Sequence, residues 1–287
     1  MKRFDEIDQA AVTGAGTMGA GVAQLFAMAG HPTVLYDLEQ EMLDKALQKV
    51  DKNLQGAVDR DKISEEGKQQ TIDNITTTTD FSQLKADVIL EAVVEKLEVK
   101  QEIFQKLADQ NETNTILASN TSSIPITKIA SSIPNPERFA GMHFFNPAHI
   151  MKLVEVISGA ATGHQTADTL KSLAKQLNKF PVDAKDSPGF IVNRVARNYY
   201  VEGLKVLEEN VADHAAIDRL MQASGFRMGP FKLMDLIGVD TNFSVTSSMF
   251  ASFHYDPKFR PSRIQEQKVN AGHHGRKSGK GFYDYDE

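Results

Sequence analysis

The chain has 287 residues, a formal charge of −6 and no cysteine. The missing thiols exclude a disulfide framework, a thiol nucleophile and thiolate metal ligands, and the acidic balance opposes non-specific binding of nucleic acid, which needs a basic face. No apolar run reaches the ~18 residues of a membrane span, and Met1-Lys2-Arg3-Phe4-Asp5-Glu6 lacks the apolar core of a signal peptide. The expectation is a soluble, intracellular protein, assigned to the cytoplasm, of two domains or one large one with an appendage, bound to neither membrane nor nucleic acid.

Ile7 to Thr13 is a short apolar run ending in Gly14-Ala15-Gly16-Thr17-Met18-Gly19. Met18, Val22, Leu25, Phe26 and Ala29 then recur at three and four, which predicts a helix ended by Gly30. Thr33-Val34-Leu35-Tyr36 predicts a second strand, closed by Asp37. Strand, glycine turn, helix, strand and acid form a dinucleotide-binding pattern. Its glycines allow a tight turn and close backbone approach, and the helix N-terminus faces a pyrophosphate. Asp37 stands where a carboxylate accepts from both ribose hydroxyls and repels a 2′-phosphate, with no arginine nearby to welcome one. The expected cofactor is NAD.

Glu41 to Arg60 predicts one long helix. At roughly 100° per residue, Leu43, Leu47, Val50, Leu54 and Ala57 gather on one side and Lys45, Lys49, Lys52 and Arg60 on the other, with Asn53 at the edge of the basic stripe. Such a stripe is either solvated surface or a dock for the phosphates of an anionic substrate. A second short helix from Ser64 to about Thr71 turns the chain back and makes a protruding helical hairpin. Strands are then predicted at Ile75–Thr79, Asp87–Val94 and Thr115–Ala118, with a helix at Glu98–Ala108 between the last two. The cluster Ser119-Asn120-Thr121-Ser122-Ser123 falls at a strand's carboxyl end, where ligands sit in open α/β sheets. It also suits a helix cap ahead of Ile124-Pro125.

Phe139 to Val156 places His143 among bulky apolar residues and Glu155 inside an apolar, strand-like run twelve positions later. Buried His and Glu are costly unless paired, so they are expected to pair with each other. At Asp186-Ser187-Pro188-Gly189 the pattern changes. Ser187 suits an N-cap with Pro188 at the first helical position, and the helix runs to about Glu209 with Val192, Val195, Tyr199, Leu204 and Leu207 on one face. Further helices are expected from Asp213 to Gly225, Phe231 to Gly238, from Asp240, and from Ser262 to a Gly-rich tail. The adjacent His273 and His274 suit a solvated turn better than a metal site, and no metal is expected.

Several stretches together resemble the L-3-hydroxyacyl-CoA dehydrogenase family, and especially its stand-alone bacterial 3-hydroxybutyryl-CoA members. They are Ala118 to Ser123, His143-Phe144-Phe145-Asn146-Pro147, Lys152-Leu153-Val154-Glu155-Val156 and Pro188-Gly189-Phe190-Ile191-Val192-Asn193-Arg194. Met228-Gly229-Pro230-Phe231 and Gly279-Lys280-Gly281-Phe282-Tyr283 agree as well, so the likeness spans nearly the whole chain. It implies an α/β fold: a Rossmann-type doubly wound NAD-binding domain over 1–185, then an all-helical substrate-binding and dimerisation domain over 186–287.

The resemblance also implies roles. His143 corresponds to the general acid/base, Glu155 to the carboxylate that orients it, Ser122 to the serine on the substrate's 3-oxygen, and Asn193 to an asparagine lining the same site. Glu95, Lys100, Ser122 and Asn146 match contacts to the nicotinamide half of NAD, beside Gly14, Gly16, Thr17, Met18, Gly19 and Asp37. Asn53 and Arg60 fall where the family's hairpin meets coenzyme A, although neither is identical to the residue in the best-known relatives. Lys232 stands where the family often has an acid. The implied substrate is a short-chain acyl-CoA thioester and the implied assembly a homodimer. A sugar-acid (gulonate-type) 3-dehydrogenase of the same superfamily predicts loss of the basic helix face and of the Ser-Asn-Thr-Ser-Ser run, and both are present. A non-catalytic NAD-binding structural protein tolerates substitution at His143 or Glu155, and neither is substituted.

Overall fold

The computed structural model describes residues 2–285. Met1, Asp286 and Glu287, the outer ends of the two expected domains, lie outside them. The chain forms two compact units, divided between Ser187 and Pro188. Among the described residues the first unit holds eight strands, β1 (Ala10–Thr13), β2 (Thr33–Tyr36), β3 (Ile75–Thr78), β4 (Val88–Glu91), β5 (Ile116–Ser119), β6 (Phe139–Phe144), β7 (Leu153–Ser158) and β8 (Phe180–Lys185). They form one sheet in the order β3-β2-β1-β4-β5-β6-β7-β8. Neighbours from β3 to β6 run parallel, β7 turns antiparallel to β6, and β8 is parallel to β7. The helices are α1 (Thr17–Met28), α2 (Gln40–Val58), α3 (Glu65–Asp73), α4 (Leu97–Gln110), α5 (Ile126–Ala130) and α6 (His164–Gln176).

The strand sequences follow from this layering. β1, β2, β4 and β5 are buried along their whole length, so they read as continuous apolar runs rather than alternating ones. The edge strands β3 and β8 expose part of theirs. Val12, Leu35, Leu90, Met142 and Val156 from the strands pack with Phe26, Leu43, Val50, Leu54 and Leu170 from the helices in one core. Each such side chain contributes about 1.5–3 kcal/mol on burial. β1 and β4 lie side by side while their following connections lead to opposite sides of the sheet order. Their carboxyl ends therefore flank a switch point, the place where open α/β sheets bind ligands.

Several local expectations are revised. β4 stops at Glu91 instead of reaching Val94, because the Glu91 carboxylate accepts from Val93 N–H at 2.7 Å and turns the chain. The first amides of α5 are capped by Asp186, which accepts from Ile126 N–H and Thr127 N–H at 2.9 and 2.8 Å, and not by the 119–123 cluster. Residues 159–185, left unassigned from the sequence, supply α6 and β8.

The second unit is helical: α7 (Val192–Glu208), α8 (His214–Ala223), α9 (Pro230–Ile237), α10 (Val239–Ser252) and α11 (Arg263–Asn270). α7 begins at Val192 with Ile191 as its N-cap residue, later than the expected start at Pro188, because Gly189 and Phe190 adopt positive φ and delay the helix. Its buried face is Arg197, Tyr200, Val201 and Leu204, whereas Val195 is 68% exposed. Arg197 can turn inward because it donates to Asn242 C=O and Thr246 Oγ1 at 3.1 and 2.9 Å. The tail closes this unit. Asp235 accepts from Phe282 N–H and Tyr283 N–H at 2.9 Å, and the Tyr283 hydroxyl donates to Asp218 at 2.8 Å.

Candidate active site

The glycine turn connects β1 to α1 at the switch point. Gly14 sits at φ +96°, and a Cβ there would meet Ala92 O at 2.7 Å, across from β4. At Gly19 a Cβ would lie 1.7 Å from Gly14 O, so only glycine lets α1 pack on its own entry loop. Gly16 faces open space and caps α1 with no side-chain hydrogen bond, which leaves the first N–H groups of the helix for an anion. Asp37, just past β2, accepts from Ala15 N–H at 2.7 Å and Glu39 N–H at 3.3 Å. A carboxylate is thus fixed against the same loop. These residues fit a dinucleotide, with room at Gly16 for its phosphates and an acid placed for a ribose.

Gly19→Ala is accordingly expected to destabilise the protein by about 1–3 kcal/mol through overpacking and to weaken NADH binding. Thermal melting and NADH fluorescence titration check this. A variant with the parent's melting point and affinity would contradict the packing account.

The hairpin of α2 and α3 borders this loop. Lys49 Nζ donates to Thr17 Oγ1 at 3.2 Å, and Asn53 Nδ2 donates to Gln24 Oε1 of α1 at 3.2 Å. Lys45 pairs with Glu41 at 2.5 Å, and Arg60 stands exposed beyond the end of α2. Lys49 and Asn53 are therefore set against α1, while Arg60 stays on the outer surface.

His143 and Glu155 are directly opposed across the antiparallel β6–β7 pair. Their side chains are 7% and 1% exposed, and His143 Nδ1 lies 2.7 Å from Glu155 Oε2. The Phe145 ring packs on the imidazole, with centroids 4.5 Å apart. A carboxylate accepts only, so it holds the Nδ1–H tautomer and directs the lone pair to Nε2. Such a histidine can take or give a proton at Nε2 while the buried carboxylate balances its charge.

Ser122 lies in the turn after β5, and Glu95 holds this turn. Its carboxylate accepts from Thr121 Oγ1 at 2.6 Å, Ser122 N–H at 2.9 Å and Ser123 N–H at 3.1 Å. Lys100 of α4 reaches Glu95 at 3.2 Å. Burial pushes the Glu95 carboxyl up, but the Lys100 charge and the Thr121 and Ser122 hydrogen bonds outweigh it and hold the group below its ordinary value. Asn146 is exposed in the turn after β6, and Asn193 lies in the first turn of α7 in the second unit. Glu91 was not among the residues singled out from the sequence, and Asn120 entered only as a member of the 119–123 cluster. Glu91 is fully buried and meets Lys100 at 2.5 Å. Asn120 Oδ1 accepts from Phe144 N–H at 2.8 Å, beside His143. A lone acid in an apolar strand is the signal that picks out Glu155, and it applies equally to Glu91.

Fold and site together define a dinucleotide-binding α/β protein that carries a buried, hydrogen-bonded histidine–glutamate pair. The chain belongs to the 3-hydroxyacyl-CoA dehydrogenase family: residues 9–187 match its NAD binding domain and residues 189–285 its C-terminal domain. It is 47% identical over 281 residues to a 3-hydroxyadipyl-CoA dehydrogenase of Escherichia coli, covering 97% of this chain and 59% of that protein. To a 3-hydroxybutyryl-CoA dehydrogenase of Clostridioides difficile it is 41% identical over 279 residues, covering 96% of this chain and 99% of the relative. The crystal structure of an (S)-3-hydroxybutyryl-CoA dehydrogenase from Ralstonia eutropha superimposes with a TM-score of 0.94 at 38% identity, over 98% of this chain and all of that one (100%). Among the described residues no helix is long and apolar enough to cross a membrane.

Proposed function

We propose that the protein is an NAD-dependent dehydrogenase that interconverts short-chain (S)-3-hydroxyacyl-CoA and 3-ketoacyl-CoA thioesters, with 3-hydroxybutyryl-CoA and acetoacetyl-CoA as its working pair. The observation that carries this reading is the 2.7 Å His143–Glu155 pair in the same sheet as the glycine turn. Family membership and the names of the Clostridioides and Ralstonia relatives support the substrate class.

Oxidising a secondary alcohol removes the hydroxyl proton as hydride leaves the same carbon. NAD, when bound, supplies the acceptor for that hydride. His143 takes the proton at Nε2, and Glu155 keeps Nδ1–H in place and balances the imidazolium that forms. In the reverse direction the same nitrogen returns the proton. Ser122 hydrogen-bonds the oxygen on carbon 3, and Asn193 lines the substrate site from the helical domain. Gly14, Gly16, Thr17, Met18 and Gly19 would hold the pyrophosphate, Asp37 the ribose, and Glu95, Lys100, Ser122 and Asn146 the nicotinamide half. Asn53 and Arg60, with Lys49 between the loop and the hairpin, would meet the phosphates of coenzyme A. Residues 1–185 then bind NAD and bring His143, Ser122 and the hairpin to the substrate, and 186–287 complete the substrate site and make a homodimer contact, in a cytoplasmic enzyme.

The test is NADH formation from (S)- against (R)-3-hydroxybutyryl-CoA, with 3-hydroxyadipyl-CoA as the acyl-length arm. Turnover confined to the (S) thioesters and fastest with the butyryl compound is expected. Preference for the adipyl compound would move the acyl assignment, and no turnover of any thioester would overturn the reading. Asp37→Ala is expected to lower the preference for NAD over NADP, measured as a ratio of kcat/KM values, by about tenfold or more, equivalent to about 1.4 kcal/mol. A parent protein that already uses both cofactors equally would refute the ribose role of Asp37.

A further inference from the structure

We propose that Glu91 is a positioning residue, the buried anchor that sets Lys100 and the Ser119–Ser123 turn; the proposal rests on the dehydrogenase reading above. Glu91 is the last residue of β4, with 0% exposure. Its Oε1 accepts from Lys100 Nζ at 2.5 Å and from Val93 N–H at 2.7 Å, and its Oε2 accepts from Ser119 Oγ at 2.6 Å. Its main-chain oxygen accepts from Asn120 N–H at 2.8 Å.

From these contacts two arms continue. One passes through Lys100 to Glu95 at 3.2 Å, and from Glu95 to Thr121, Ser122 and Ser123. The other passes through Asn120 to Phe144 N–H, one residue from His143. Glu91 is thus bonded through its carboxylate to Ser119 and, by way of Lys100 and Glu95, to the turn bearing Ser122, and through its main-chain oxygen and Asn120 to the strand end bearing His143. Burying a charge is tolerated only where its hydrogen bonds are made, and here two carboxylates share one ammonium. Removing the Glu91 charge leaves Lys100 to Glu95 alone and loosens the grip on Ser119. Glu91 therefore acts through Lys100 and Ser119.

A double-mutant cycle on the intact chain tests this, using Glu91→Gln, Lys100→Met and the pair. The readouts are NADH affinity by fluorescence quenching, kcat and KM with acetoacetyl-CoA, and the thermal midpoint. Glu91→Gln keeps the shape and loses the charge. It is expected to weaken NADH binding about tenfold and to lower kcat on the order of 10²-fold, as for a small misplacement of reacting groups. The double variant is expected to bind NADH no worse than Lys100→Met alone, since coupled residues are not additive. Losses in NADH affinity that multiply in the double variant, or a Glu91→Gln protein with the parent's affinity and kcat, would overturn the proposal. Should Glu91→Gln fail to fold, Ser119→Ala decides. It removes one hydroxyl and is expected to lower kcat about tenfold without changing the KM for NADH, and an unchanged kcat overturns the anchor. NADH affinity needs no acyl substrate. A protein whose NADH binding depends on Glu91 but which leaves acetoacetyl-CoA untouched would sink the substrate assignment and support the anchor.

Discussion

His143→Ala is expected to lower kcat for acetoacetyl-CoA reduction by about 10²–10⁴-fold, the usual worth of a positioned acid/base, while NADH binding stays close to the parent value. The two effects separate because the imidazole sits on β6 and pairs across to β7, whereas the glycine turn and Asp37 are built on β1 and β2. Truncation also takes the imidazole partner from a carboxylate that is 1% exposed. A stability cost of about 1–3 kcal/mol is expected for that, so the thermal midpoint is measured alongside. Stopped-flow oxidation of NADH by the folded variant is the check. Unchanged turnover would remove His143 from the chemistry.

Glu155→Gln is the second large effect. The amide can still accept from Nδ1–H through its carbonyl oxygen, so the ring orientation survives, but the buried negative charge facing the imidazolium is gone. A hydrogen bond to a charged group contributes about 1.5–3 kcal/mol, and its loss in the charged intermediate corresponds to roughly 10–100-fold in kcat. The KM for acetoacetyl-CoA is expected to change little, because the pair lies within the sheet and is not part of the hairpin that faces coenzyme A in this reading. A large rise in KM at constant kcat would assign Glu155 to substrate binding instead.

What could be read from the sequence was what local pattern encodes. The glycine turn, the Asp37 position and the alternating strands and helices are local signals; α1 and β2 recur within a residue or two, and β1 takes up the last four residues of the Ile7–Thr13 run. His143 and Glu155 were visible because polar residues in apolar strands must be paired, and the β6–β7 register sets them face to face. Contacts between distant segments were not visible. The cap of α5 comes from Asp186, 60 residues further along, and Glu95 binds a turn 26 to 28 residues away. Ser187-Pro188 carries a good local signature for a helix start, yet positive φ at Gly189 and Phe190 defers α7 to Val192. The buried face of α7 was legible in part: Leu204 is buried and Tyr199 and Leu207 pack on the helical core, but Val195 does not join them. Arg197 turns inward only because α10 offers it Asn242 and Thr246, and Val195 on the neighbouring stripe is left exposed.

The central claim is that a cofactor-fed His–Glu pair works on a 3-oxygen carried by a coenzyme A thioester. Steady-state oxidation of NADH with acetoacetyl-CoA, set against free acetoacetate at the same concentration, tests it most directly. Rapid turnover of the thioester with little or none of the free acid is predicted. Equal rates with both, or oxidation of neither, would contradict it.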